Sequence, residues 1–352
     1  MPILGPIRFK KLSGFLIKFS EEDIVEIVKN VRRGAETEDE ARNRVLKNIS
    51  NILFDRNIPA IPSRGGVISL FGISPQDELS VKIGSFEKTI QSFEVRNVRL
   101  RDIEIQDFIN ELIKRGLSSK ALLVDRDVYY FEHIKRIFPE SERINVGVYK
   151  GFEIQYHLRN GDWYIVLIDR YKFYITPTVD YFIRKYGPEA FTELFKNWEV
   201  NTEHEYHSKH YGPAYAGKIE GIHPPDLMGY RGILEDIINY YRDKKPHVWE
   251  GYISKKLEKD PNPPIVFVNK AGNTLTYLSS ILVFTPSVRQ LASLIGEIWG
   301  ERFVDYIHQI MNPTASKYHE LMEKFKGIME EVLAGIPFIE SKTRWLELEV
   351  VQ

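Results

Sequence analysis

The sequence contains no cysteine. Disulfide frameworks, cysteine-ligated zinc and thiol catalysis are therefore excluded. No apolar run approaches the roughly 18 residues of a membrane-spanning helix. The first residues carry Pro2, Gly5 and Pro6 where a secretory leader would carry an apolar stretch. The expected location is the cytoplasm, with no insertion into a membrane. Phosphate-cradling glycine loops, HExxH zinc helices and nucleophile elbows are missing as well, and Gly65-Gly66 reads as a turn. There is also no excess of one charge, with 48 Lys and Arg against 49 Asp and Glu. That balance argues against a protein that coats DNA over its whole surface and leaves room for local basic patches.

What is present is a folded profile. Apolar residues make up 43% of 352 positions, so the chain should bury two to four modules rather than a single core. Residues 7–19 alternate like one or two strands. Ser20-Glu21-Glu22-Asp23 and Thr37-Glu38-Asp39-Glu40 both read as helix starts, each with a capping hydroxyl and acids at the positive end of the helix dipole. Residues 66–100 return to strand character. Helices are expected at 104–115, closed by Gly116, and at 127–138, closed by Pro139. Phe152, Ile154, Tyr156 and Leu158 alternate up to Asn160-Gly161, and Trp163, Ile165 and Leu167 alternate away from it, a hairpin on a type I′ turn. A helix follows Pro177. Residues 199–285 read as short strands around Pro- and Gly-rich turns, a small β-barrel interrupted by one helix at 232–244. Helical spacing returns from Val288 to Ile307 and from Tyr318 to Val332. A strand is expected at 345–351. The fold class is α+β and multi-domain.

Three segments, in order, resemble the N-terminal half of prokaryotic Argonautes. Gly151–Tyr156 with Asp162–Ile168 resembles the hairpin of the first linker. Tyr215–Ile222, Ile238–Lys244 and Pro264–Val268 resemble a PAZ domain. Thr276-Tyr277-Leu278-Ser279-Ser280-Ile281-Leu282-Val283-Phe284-Thr285 is similar to the strand that leaves PAZ for the second linker. The likeness spans roughly residues 145–352. It implies an N domain at 1–145, a first linker domain at 146–198, a PAZ-like domain at 199–285 and a second linker domain at 286–352. The sequence departs from the family pattern at Lys245, where many PAZ domains carry histidine, and at Ser279-Ser280, where two prolines are usual.

A full-length Argonaute continues into MID and PIWI domains. The resemblance thus implies the separately encoded partner of a short archaeal Argonaute that has only MID and PIWI. Such a partner is non-catalytic and has no cofactor. It helps hold a guide RNA or DNA and its target strand in defence against viruses and plasmids, with a downstream effector where the system has one. The apolar residues Trp299, Phe303, Phe325, Trp345 and Leu346 are expected to divide between helix cores and a heterodimer interface.

The residues that carry nucleic-acid chemistry follow from composition and likeness together. Tyr240, Tyr241, Arg242, Lys244 and Lys245 set rings beside cations. Rings stack on exposed bases or a terminal sugar, and cations neutralise phosphate. Tyr211 and Tyr215 are expected on a facing strand, with Lys218 and Arg231 as further phosphate contacts. The same residues could instead be a core tyrosine and a solvated helix end. A stand-alone single-strand binder is the first alternative function. A metal-dependent hydrolase using His204, His207 and His210 is the second, although their spacing drifts around a helix and alternates faces on a strand.

Overall fold

A computed structural model describes residues 2–8, 10–32, 36–74, 78–83, 86–91, 93–125, 127–134, 144–159, 162–203, 215–299, 301–336, 339 and 344–347, without the side chains of 295–303, 344, 346 and 347. The chain opens with β1 (Pro2–Ile7) and β2 (Ser13–Phe19), followed by α1 (Glu21–Val31) and α2 (Glu38–Asp55). Ser20 accepts a hydrogen bond from the Asp23 backbone N–H at 3.1 Å. Thr37 accepts from the Glu40 N–H at 3.2 Å while Glu40 accepts from the Thr37 N–H at 2.8 Å. Both helices begin where the caps predict. Strands β3 (Ala60–Ser63), β4 (Gly66–Ser69), β5 (Leu79–Ile83), β6 (Phe86–Ile90) and β7 (Phe93–Arg99) complete this region. A four-stranded sheet in the order β3-β4-β2-β7 packs with α1 and α2 around Ile17, Ile27, Val45, Ile49 and Val67, all fully buried.

Helix α3 (Asp102–Lys120) runs straight through Gly116. That glycine is not the expected stop: a Cβ there would lie 2.7 Å from Val332, so its role is close packing between helices. Strands β8 (Leu123–Asp125) and β9 (Val128–Ile134) follow. The helix expected from 127 is instead this strand, and the expected end at Pro139 lies outside the described residues. Consecutive aromatic residues favour a pleated surface. Tyr129 packs into the core shared with α3, while its neighbour Tyr130 joins Leu123 and Tyr149 in a separate cluster.

The expected hairpin is longer than its alternation showed. Strands β10 (Asn145–Arg159) and β11 (Asp162–Thr176) pair without interruption from Asn145↔Thr176 to Arg159↔Asp162. The pairing leaves two residues to connect them, and Asn160-Gly161 itself lies outside the described residues. Next come α4 (Val179–Tyr186), α5 (Pro188–Phe195), β12 (Glu199–Thr202) and β13 (Tyr215–His223). The helix expected at 232–244 is α6 (Tyr230–Lys244). The reading of one helix among strands is incomplete, because α7 (Pro246–Val248), a π-turn (Trp249–Ile253) and α8 (Ser254–Lys259) extend it before β14 (Ile265–Lys270) and β15 (Asn273–Leu278).

Strand β15 passes through a 3₁₀ turn (Ser279–Ile281) into β16 (Leu282–Phe284). Here Ser279 N–H donates to Pro264 O at 2.9 Å, and Glu203 N–H donates to Ile281 O at 2.7 Å. The chain segment that starts beside β14 therefore ends beside β12. Ser279 and Ser280 form this corner. Helices α9 (Val288–Trp299), α10 (Glu301–Met311) and α11 (Ala315–Ala334) and strand β17 (Arg344–Glu347) finish the chain.

One sheet unites these parts in the order β15-β14-β13-β12-β16-β11-β10-β9-β8, with β1 pairing β11 and β17 pairing β1. The link between β11 and β16 is the single pair Ile175↔Phe284. On one side of that link α3 and α11 cover the hairpin, and Phe325 lies 5.0 Å from Phe152. On the other side Phe182, Phe191, Phe195 and Phe284 fill the core, the last two stacked at 4.7 Å. Phe325 is wholly buried and Trp345 donates to Glu330 at 2.6 Å, whereas the side chains of Trp299, Phe303 and Leu346 lie outside the described residues. Among the described residues no helix is long and apolar enough to cross a membrane.

Candidate nucleic-acid interface

Helix α6 carries the ring-and-cation group. Its inner stripe is Tyr230, Ile237 and Tyr241, all buried, and Tyr230 OH donates to Pro263 O at 2.8 Å. Burial and the nearby Asp260 raise the Tyr230 hydroxyl to about 12. Helical geometry turns successive residues by about 100°, so adjacent tyrosines cannot share one environment. Tyr241 is 3% exposed and Tyr240 is 50% exposed. Their rings meet edge to face at 5.4 Å. Tyr241 therefore fixes the helix to the core, and Tyr240 is the ring open to a ligand.

The cations sit at the C-terminal end of this helix, where the dipole favours them. The Arg242 guanidinium lies over the Trp249 ring at 4.6 Å. Such stacking holds the planar group in place with its edge N–H donors free to point outward. The Lys245 ammonium lies 5.7 Å from the Tyr240 ring and 5.9 Å from the Tyr241 ring. Lys244 is exposed. Neither Arg242 nor Lys244 meets a carboxylate within ion-pair distance among the described residues. Tyr240 and Lys244, one turn apart, share a helix face that can stack a base and meet its phosphate, whereas Arg242 leaves the helix on the other side, against Trp249.

The remaining predicted residues do not join this group. Arg231 is exposed at the start of α6, about 16 Å from Arg242 along the helix axis. Tyr215 opens β13, where Lys270 donates to its carbonyl at 2.8 Å and rests 5.8 Å from its ring. Lys218 faces Glu199 at 4.0 Å on the neighbouring strand. These two engage β12 and β14 rather than the end of α6. Tyr211 and the histidines His204, His207 and His210 lie outside the described residues.

Trp249 and Tyr252 join this region without any local sequence pattern that marks them. Trp249 stands seven residues beyond Arg242, a spacing that two further helical turns would stack, but Pro246 masked the continuity. Tyr252 donates to Glu203, which also accepts from Lys256 at 2.8 Å. Burial, with the Glu203 carboxylate beside it, drives the Tyr252 hydroxyl far above the ordinary tyrosine range. This neutral phenol clamps the helical insertion to the end of β12, so the surface that carries α6 is fixed relative to the sheet.

No model of a known protein family and no curated protein matches this chain. Solved structures do. Aa-Ago with externally bound siRNA aligns over 99% of this chain and 44% of its own, with a TM-score of 0.59 and 12% identity. Aquifex aeolicus Argonaute aligns over 98% of this chain and 42% of its own, with a TM-score of 0.54 and 12% identity. The fold is Argonaute-like. At this identity the likeness is one of fold, and the chain spans less than half the length of the Argonautes it matches.

Proposed function

We propose that this chain binds guide nucleic acid and the guide–target duplex as the N–PAZ-like half of an Argonaute assembly. Its partner in this reading is a short Argonaute that supplies MID and PIWI, and the assembly serves defence against invading nucleic acid. The observation that carries the reading is the fold, which follows Aa-Ago along nearly the whole chain. The α6 group adds chemistry to it: the exposed Tyr240 ring with the Lys244 ammonium one turn away, and a guanidinium held on Trp249. Sequence preference would come from base pairing by the guide, with this chain contributing positioning and stacking and no cleavage step.

The test is co-expression with a short Argonaute followed by guide binding at several salt concentrations. A stable heterodimer that binds guides with a steep salt dependence is expected. Charge substitutions on outward-facing apolar residues of 318–333 should weaken the heterodimer. A monodisperse monomer that ignores the short Argonaute, or cleavage activity that follows this chain through several columns, would overturn the reading.

A further inference from the structure

On α4, α5 and the loop before α6 the surface has the opposite character. Gly187, at φ +81°, turns the chain sharply from α4 into α5. The inner faces of both helices pack Phe182, Ile183, Phe191 and Phe195 into the core. Beside them lies an open groove of about 810 Å³, lined by Tyr186, Ile222, Pro224 and Leu227 together with Glu189, Glu193 and Asp226. No lysine or arginine lines it. None of the three carboxylates has a cation within ion-pair distance among the described residues.

The loop at the edge of the groove is ordered by its own hydrogen bonds. Leu227 N–H donates to Pro224 O at 3.2 Å, and Tyr230 N–H donates to Leu227 O at 3.3 Å. Gly229, at φ +88°, then starts α6. This anchored loop holds two large apolar side chains in water: Leu227 is 53% exposed and Met228 is 97% exposed. Leu194, on α5 next to Glu193, is 48% exposed. A fixed loop that presents apolar side chains beside a partly apolar cleft marks a protein contact, because desolvating those groups favours association. Methionine and leucine also adapt to a partner's shape.

The charge decides which kind of partner fits. Three unpaired carboxylates disfavour phosphate here, with Lys185 over the Tyr186 ring the nearby cation, so the charge favours a protein segment over a nucleic-acid strand. We propose that the groove docks a segment of a partner protein whose apolar anchors enter between Tyr186 and Leu227 and whose flanking lysine or arginine residues meet Glu189, Glu193 and Asp226. The chain would then present a basic, aromatic end at α6 to nucleic acid and an acidic, apolar groove to protein. This inference stands whether or not the chain binds a guide.

A random dodecapeptide display library selected on the full chain tests it. Enriched peptides should combine apolar anchors with net positive charge. Their affinity should fall by about tenfold or more in the triple variant Glu189→Lys, Glu193→Lys, Asp226→Lys. Leu227→Ser with Met228→Ser should weaken them without removing the preference for basic peptides, and Asp305→Lys on α10 should leave binding unchanged. Since all six positions are exposed, thermal unfolding of the variants should match the wild type. Enriched peptides with no basic bias, equal binding by the triple variant, or displacement of the peptides by single-stranded DNA would each overturn the proposal.

Discussion

Helices α2 and α6 are of similar length and differ in what their charges meet. At the start of α2, Thr37 and Glu40 close a reciprocal cap, and Arg44 on the same helix pairs with Glu36 at 2.7 Å. Glu36 and Glu40 at that end both have partners within reach. Helix α6 starts at Gly229 with no side-chain cap, and its last turn holds Arg242 and Lys244 with no carboxylate in range among the described residues. Charges at the start of α2 meet their opposites, whereas those at the end of α6 are held in water, where an arriving anion can replace their hydration. The comparison separates a helix whose charges serve the fold from one whose charges are open to a ligand by the partners of their side chains rather than by their composition.

Disturbing the frame that holds α6 should have the largest effect. Phe284 is fully buried against Phe182, Phe191, Phe195 and Trp198. Phe284→Ala should cost about 3–5 kcal/mol, measured by denaturant unfolding. A loss below about 1 kcal/mol would show that this core does not support the unit. Next in size is the exposed ring. Tyr240→Ala should weaken guide binding by the heterodimer by about 1–3 kcal/mol and leave the unfolding curve in place, with a smaller loss for guides whose 3′ end is blocked. Equal binding of every guide by this variant would make α6 a second α2.

Smaller effects test the structural helix. Thr37→Ala should lower stability by about 1 kcal/mol with no change in guide binding. The same cap gives stability a pH dependence. The backbone N–H and the hydroxyl of Thr37 hold the Glu40 carboxyl below its ordinary value, and a hydrogen bond from Arg42 does the same for Glu21. A carboxyl lowered in the folded state contributes stability that is full above its unfolded value, about 4.3, and is lost as pH falls through the folded value. The unfolding temperature should therefore drop on acidification below about pH 4, and less steeply in a Thr37→Ala, Glu40→Gln variant. The smallest expected effect is on the salt dependence. Lys244→Gln should weaken binding uniformly across guides and reduce the slope of log affinity against log salt by about one.

Local features of the fold could be read from the sequence where one short-range cause decides them. The hydroxyl–acid pairs at Ser20 and Thr37 mark helix starts because the cap bonds lie within four residues. The alternation around Asn160-Gly161 marks a hairpin because both faces repeat every second residue. Long-range causes were not readable. Gly116 looks like a stop until Val332, brought by α11, shows why no side chain fits. The aromatic run at 129–131 passes for a helix until its two faces prove to belong to different clusters. The same limit applies to the site. The segment from Tyr240 to Lys245 could be named as a group, but nothing local says that Tyr241 is the inward ring or that Trp249 returns across a helix break to hold Arg242. The acidic groove escaped altogether, since its lining comes from segments some thirty residues apart.

The single pair Ile175↔Phe284 also has a topological consequence. The chain leaves the hairpin at Thr176 and comes back beside Ile175 at Phe284. Everything between, from α4 through β16, begins and ends at one point of the sheet. In chain terms it is a pendant insertion. A short linker could bridge its two ends with little closure entropy, and the residues on either side would still be neighbours. Such a shortened chain would keep the hairpin, β1, β17 and the packing of α3 on α11. It would lose both the basic and the acidic surface at once. The two surfaces are thus carried by one segment whose ends meet on the sheet, but Val146, Val148, Phe173 and Ile175 of the hairpin and Leu291, Leu294 and Ile307 of α9 and α10 share its core, so its removal would call for polar replacements on the frame.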